Sequence, residues 1–339
     1  MKMSENENKI AFSGAGVAIN EENFPDEIFR EYVSRNFDKD GDGILSEEEI
    51  ENATEVDVSS RNLRSLKGVE YLTALEELNC EINRLSEVDL SCNTALTKLQ
   101  ISGNWLSSLD VSKNTKLRSL DLESNFVYSL DISNNTCLEE LNCEDNGLVS
   151  IDLSRNKALT KLLIGDNELF DIDVSKNTEL GILDLASNAL ENIDLSNNYL
   201  LTELYCGINI IGGLNLTQNP MLKVLVCDLN CISSLDLSNN LQLECLDCSK
   251  NTITSLDISN NKKIKEVNCD DQQYPLSSRS LDELTPLGFR PEKASNWQGA
   301  DYRPETNSLV NVTSKTVTYD YDIGQGNICK FALYLYSEK

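Results

Sequence analysis

The chain of 339 residues contains no histidine. That removes the commonest general base and the commonest zinc ligand, and it lowers the expectation of an enzyme. Positive charge is also scarce: 29 Lys and Arg stand against 56 Asp and Glu, a formal net charge of -27. Such a surface repels phosphate backbones, and the basic footprint that nucleic acid binding requires is missing. Cations and basic proteins are the partners this field attracts. No apolar run reaches the eighteen residues that mark a membrane-spanning helix, so membrane insertion is not expected. Residues 1–20 read as a disordered segment. Within them Ala11 to Ile19 is too polar and glycine-rich for the core of a signal peptide. Two readings remain at this point: an intracellular protein, or one whose signal lies outside this chain. The eleven cysteines are odd in number, so they cannot all pair internally.

What the chain does have is a repeat. Steps of twenty-one residues from Leu75 meet Leu96, Leu117, Leu138, Leu159, Leu180, Leu201, Leu222, Leu243 and Ile264 with no insertion. Each unit reads L-x-x-L-x-L-x-x-N-x-L followed by L-D-[LVI]-S-x-N, as in Leu96, Leu99, Ile101, Asn104, Leu106, Leu109, Asp110, Val111, Ser112 and Asn114. This is identified as the leucine-rich-repeat signature, and the resemblance runs from about Val56 to Asp271. Triplets such as Leu120-Asp121-Leu122 alternate inward apolar and outward variable residues, which is strand behaviour. One unit cannot bury its own leucines, but stacked units share one long core. The expected solenoid is right-handed, spans residues 54–271 and carries a parallel β-sheet on its concave face.

Two polar rows recur with the leucines. Asn83, Asn104, Asn125, Asn146, Asn167, Asn188, Asn209, Asn230 and Asn251 sit where the chain turns inward after each strand. A structural ladder satisfying buried backbone groups is expected there, ahead of a glycan or metal site. The Asp-x-Ser-x-Asn row reads as turn chemistry rather than a cation-binding ladder. Cys80, Cys143, Cys206, Cys227, Cys248 and Cys269 occupy positions held elsewhere by Ile101, Leu122, Ile164 and Leu185, so they read as small buried hydrophobes. Cys92, Cys137, Cys231, Cys245 and Cys329 lie off this ladder.

Before the repeat, residues 21–53 form a distinct module. Phe24 to Val33 has the spacing of an amphipathic helix, with Pro25 in its first turn. Asp38 to Glu49 then matches D-x-D-x-D-G-x(5)-E, the EF-hand calcium loop. Asp38, Asp40 and Asp42 offer carboxylates, Ile44 its carbonyl, Ser46 the position often reached through water, and Glu49 a bidentate carboxylate. Gly43 permits the sharp turn. One calcium ion is therefore expected as the cofactor. A single such loop points to a structural clamp over the first coil (Val56 to Val58 and Leu63 to Leu66), not to a sensor. The arrangement resembles internalins, bacterial surface proteins whose solenoid starts with an EF-hand-like helical cap, and that resemblance implies a cap and an extracellular or cell-surface home.

Residues 272–339 leave the repeat. Lys315 to Asp322 and Cys329 to Leu335 alternate at period two around Gly324-Gln325-Gly326-Asn327, so a β-hairpin inside a small β module is expected. It looks like the β module ending many secreted bacterial leucine-rich-repeat proteins, which implies a second end-cap.

Outward strand residues locate the chemistry. The early coils present Glu77, Asn79, Glu81, Asp121, Glu123, Glu140 and Glu144, broken by Lys98; the later ones present Leu163, Ile182, Tyr205, Val224 and Val226. Trp105 and Phe126 share one repeat position just past the strand. Contiguous apolar surface with a polar rim marks interaction sites. The expected function is a non-catalytic, monomeric scaffold that binds a protein ligand on its concave face. Two other readings are open to such a chain. A rigid spacer is one. A carboxylate-based hydrolase using pairs such as Asp121 and Glu123 is the other, and it lacks a pocket to exclude water.

Overall fold

The computed structural model describes residues 16–335, and the chain divides into two compact units, one up to Glu168 and one from Leu169 onward. Of the segment expected to be disordered, residues 1–15 lie outside the described residues. Its end is not disordered: β1 (Val17–Ala18) pairs with β2 (Ile44–Leu45) in antiparallel register. The Ile19 amide adds a bond to the Gly43 carbonyl at 2.9 Å. The reason is physical. A solitary acidic loop leaves the strand edge of β2 bare, and an unpaired edge needs a partner.

In the first unit, α1 (Glu27–Asn36) begins at Asp26, whose Oδ1 accepts from the Ile28 and Phe29 amides. Asp26 Oδ2 accepts from the Arg64 amide at 3.0 Å, so one side chain holds the helix start and the chain after the first strand. Phe29 and Val33 bury the apolar face of α1. The short α2 (Glu47–Glu51) starts with a reciprocal Ser46–Glu49 capping box. Phe24 lies against Gly68, whose φ is +105°; a Cβ there would come within 2.3 Å of the ring.

The repeat then begins. β3 (Glu55–Asp57), β4 (Glu77–Asn79), β5 (Lys98–Gln100), β6 (Ser119–Asp121), β7 (Glu140–Asn142) and β8 (Lys161–Leu163) pair in parallel, each with its sequence neighbour. From β4 on, the register advances by one repeat per strand, for example Leu99 against Leu120. The middle residue of each strand is buried and its flanks face out. A buried leucine contributes about 1.5–3 kcal/mol relative to exposure, so every added turn supplies its own stabilisation.

The second unit repeats this with β9 (Ile182–Asp184), β10 (Glu203–Tyr205), β11 (Val224–Val226), β12 (Cys245–Asp247) and β13 (Glu266–Asn268), although the middle residue of β13, Val267, is only half-buried. After it come β14 (Gln272–Leu276), β15 (Ala294–Gln298), β16 (Asp301–Arg303), β17 (Ser308–Val310), β18 (Thr316–Gly324) and β19 (Asn327–Leu335). β18 and β19 form the hairpin the alternation points to, and a four-stranded sheet runs β14-β19-β18-β15. Its turn is Gln325-Gly326, both at positive φ, as a tight hairpin requires. Phe289, Tyr319, Tyr321 and Phe331 pack as an aromatic cluster on this sheet.

Two amide ladders join successive turns. Asn104 Oδ1 accepts from the Leu85 amide at 3.0 Å, while its Nδ2 donates to the carbonyls of Cys80, Ile101 and Ser102. Asn83, Asn125, Asn209, Asn230 and Asn251 repeat the pattern. On the far side, Asn114 Nδ2 donates to the Leu90 and Asn93 carbonyls, and Asn261 to those of Leu237 and Asn240.

Both ladders end on a glutamine. Gln272 Nε2 donates to the Cys248 carbonyl at 2.7 Å and its Oε1 accepts from the Ile253 amide. Gln325, at the hairpin turn, donates from Nε2 to the carbonyls of Ile258 and Asn261 at 2.6 and 3.0 Å. These are the acceptors that the next ladder asparagine would take. A longer amide side chain reaching in from elsewhere thus finishes each row. Gln325→Ala leaves two carbonyls without these donors, and an unmet buried polar group costs about 1–3 kcal/mol. Urea unfolding followed by tryptophan fluorescence, which reports on the module through Trp297, should show a loss of that size. An unchanged midpoint would rule out this role.

Candidate functional site

Three sets of side chains carry the chemistry expected from the sequence. The first is the loop between α1 and α2. The carboxylates of Asp38, Asp40 and Asp42 converge, with one oxygen of each within 4.8 Å of the others. Backbone amides shape the loop around them: Gly41 and Gly43 donate to Asp38, Asp42 to Asp40, and Ile44 to Asp42. Glu49 closes it, with Oε1 accepting from the Lys39 amide at 2.6 Å and Oε2 from the amide and hydroxyl of Ser46. The Ser46 amide, followed by the other bonds to Lys39 and Ser46, holds the Glu49 carboxyl below its ordinary range. Hard oxygens gathered this closely repel one another and are the donor chemistry of a divalent cation such as calcium.

The second set is the outward strand face of the first unit. Burial pushes the Asp121 carboxyl up, and the charges of Glu123 and Glu81 push the same way. Glu123 accepts from Asn142 Nδ2, and Glu81 from the Ser102 hydroxyl. Leu163, on β8, is half-buried. Beside the strands, Trp105 and Phe126 stand in consecutive turns with 54% and 56% of their surface exposed. Sequence reasoning missed their neighbours Tyr128 and Val149, at 62% and 49%. The Tyr128 ring lies over Gly147, where a Cβ would meet it at 2.6 Å. These residues occupy turn columns, where alternation is no guide; aligning the twenty-one-residue units column by column would have exposed them.

The third set is the strand face of the second unit. Ile182, Tyr205, Val224 and Val226 share it and are half-buried. Register places Tyr205 beside Val226, and Val224 beside Glu203. The Tyr205 hydroxyl donates to Glu203 Oε2 at 3.0 Å, and burial, aided by that bond, pushes it up to about 12. Past the strands, Ile208, Ile210 and Leu229 extend the apolar surface and were also missed. Ile208 and Leu229 adopt φ of +54° and +51°, in a column that elsewhere holds residues such as Gly103, Ser124, Asp145 and Ser187. A branched, exposed side chain in the left-handed region costs about 1–2 kcal/mol.

The other rows behave structurally. Asp110 accepts from the Ser112 amide at 2.9 Å, and that bond holds its carboxyl low; Asp131, Asp194 and Asp236 repeat this. Cys206, Cys227 and Cys248 are buried thiols, and burial pushes Cys206 and Cys248 to about 12. Cys269 departs from the expectation of a free core thiol. It is bonded to Cys329, across 60 residues, with Cα atoms 6.1 Å apart. β19 pairs with β14 just after the last repeat, which brings the off-ladder Cys329 there. Closing a loop of that length stabilises the chain by about 4 kcal/mol in the chain-entropy model.

Parallel strands at a fixed repeat, leucine rungs and asparagine ladders define a leucine-rich-repeat fold. Internalin J of Listeria monocytogenes serotype 4b (strain F2365) is 37% identical over 71 residues, covering 21% of this chain and 8% of that protein. Among solved structures, a leucine-rich-repeat protein of Leptospira interrogans aligns with a TM-score of 0.56 at 22% identity, over 69% of this chain and 71% of its own. An internalin, InlF, of Listeria monocytogenes strain 4b F2365 aligns with a TM-score of 0.52 at 24% identity, over 77% and 93%. No family model matches the chain. Among the described residues no helix is long and apolar enough to cross a membrane.

Proposed function

We propose that this protein is a non-catalytic scaffold that binds a protein ligand on the concave face of its repeat, outside the cell or on its surface. The observation that carries this reading is the apolar strand surface of Ile182, Tyr205, Val224 and Val226, extended by the strained and exposed Ile208 and Leu229. In the first unit Trp105 and Phe126 are exposed aromatics of the kind that anchor interfaces. An open face without an enclosing pocket does not suit hydrolysis by Asp121 and Glu123. The Cys269–Cys329 bond fits an oxidising environment, and the internalin resemblance fits the same setting. On this reading the helical segment and the β module are end-caps, as solenoids require. Asp26 and Gln325 are their fastening points.

A random-peptide phage library selected against the full chain tests the binding face. Selected peptides should lose at least about tenfold in affinity, or about 1.4 kcal/mol, to the Tyr205→Ala, Val226→Asp double variant. Ile208→Asn should also weaken them while raising the thermal midpoint, because asparagine tolerates positive φ. Peptides that bind these variants and the wild type equally would place the ligand elsewhere.

The acidic loop, on this reading, is an EF-hand that holds one calcium ion. Asp38, Asp40, Asp42 and Glu49 would supply carboxylates, Ile44 its carbonyl, and Ser46 the position near the helix start. When bound, the ion would neutralise their mutual repulsion and stiffen the segment over the first strand. Ligand binding to the native state alone stabilises it by about 2.7 kcal/mol at one hundred times Kd. Calorimetric titration should show one calcium site, and chelation should lower the unfolding midpoint. In an Asp38→Asn, Glu49→Gln variant both effects should vanish. Absence of calcium heat in the wild type would remove the site.

A further inference from the structure

A cavity of about 360 Å³ lies within the second unit, where the turns of the last coils meet the β module. It is lined by consecutive Asp-x-Ser turns around Asp236 and Asp257, by residues between Pro286 and Lys293, and by Tyr321. Sites of about 300–1,000 Å³ hold small molecules.

The polar groups are unevenly matched. Lys293 Nζ lies 3.5 Å from Asp257 Oδ2. Arg290 has no ion-pair partner among the described residues, and its guanidinium lies near enough to the Tyr321 hydroxyl to act on it electrostatically. The Tyr321 hydroxyl is nearly fully buried and accepts from the Arg290 amide at 3.0 Å, so its own proton is left to donate. Asn261 lies behind this lining as a ladder residue, with its Nδ2 engaged and its Oδ1 buried as in the other turns of the row, so it is not a ligand group. Leu235 and Leu256 are the apolar side chains of the lining from the coil side.

A free guanidinium is a bidentate fork for a carboxylate. Two wall carboxylates, Asp236 and Asp257, disfavour a dianion such as a phosphate ester and accept from hydroxyls instead. Hydroxyl and carboxylate groups set beside leucine side chains match a small ring that bears several hydroxyls and C–H faces. We propose that this cavity binds an acidic monosaccharide, with Arg290 gripping its carboxylate and the Tyr321 hydroxyl and Asp236 meeting its oxygens and hydroxyls. The site is separate from the strand faces proposed for the protein ligand, so either can fail alone.

Calorimetric titration of the full chain with glucuronate, glucose and glucose 6-phosphate tests it. Glucuronate should bind, and glucose should bind at least about tenfold more weakly. The Arg290→Gln variant should lose the same factor for glucuronate; its fold is safe because Arg290 meets Tyr321 through the backbone amide. Lys265→Gln, a surface change, should leave glucuronate binding unchanged. No glucuronate heat, equal binding of glucose, tighter binding of the phosphate ester, or full retention in Arg290→Gln would each overturn the assignment.

Discussion

Each turn of the repeat depends on an amide side chain that reaches back to the turn before it. The strands are only three residues long, so backbone pairing within them cannot satisfy the many polar groups that the bends bury. Asn104 illustrates the solution: one carbonyl oxygen takes the Leu85 amide, and one NH2 group serves three carbonyls. A second row, through Asn114 and its equivalents, donates to two carbonyls of the preceding turns on the far side. Leucine burial supplies the driving force, but it is non-directional. The asparagines give it a register.

Because the ladders are open-ended, their last members need substitutes. Gln272 and Gln325 fill those places from outside the repeat, and β1 does an equivalent service for the exposed edge of β2. The disulfide between Cys269 and Cys329 sits beside the last rung. Outside these rows, the outward strand positions carry side chains that the ladders do not use. Asp121 and Tyr205 lie on these faces, while Trp105, Phe126 and the strained Ile208 stand in the bends that follow the strands.

Much of this was legible in the amino-acid sequence. A period with no insertions fixes which residue of every unit faces inward, so strand positions, asparagine ladder and buried cysteine positions followed from spacing alone. The hairpin was equally plain, since alternation and a tight-turn signal lie side by side. Relations between distant residues were not legible. Gln325 stands 64 residues from its acceptor Asn261, and nothing local marks it as a ladder member. The Cys269–Cys329 bond has the same character, as has the strand Val17–Ala18, too short to leave a pattern. Tyr128, Val149, Ile208 and Leu229 escaped for another reason: they lie in bends, where neither strand nor helix periodicity predicts exposure. The acidic loop was legible residue by residue because the donor set is contiguous.

The dependence of each turn on its asparagine is tested most directly by amide hydrogen exchange on an Asn125→Ala variant. Asn125 Oδ1 accepts from the Leu106 amide, and Nδ2 serves the Ile101 and Leu122 carbonyls. The account predicts that the Leu106 amide and its neighbours lose protection equivalent to about 1–3 kcal/mol, while the amides of α1 keep theirs. Unchanged protection at Leu106 would contradict it.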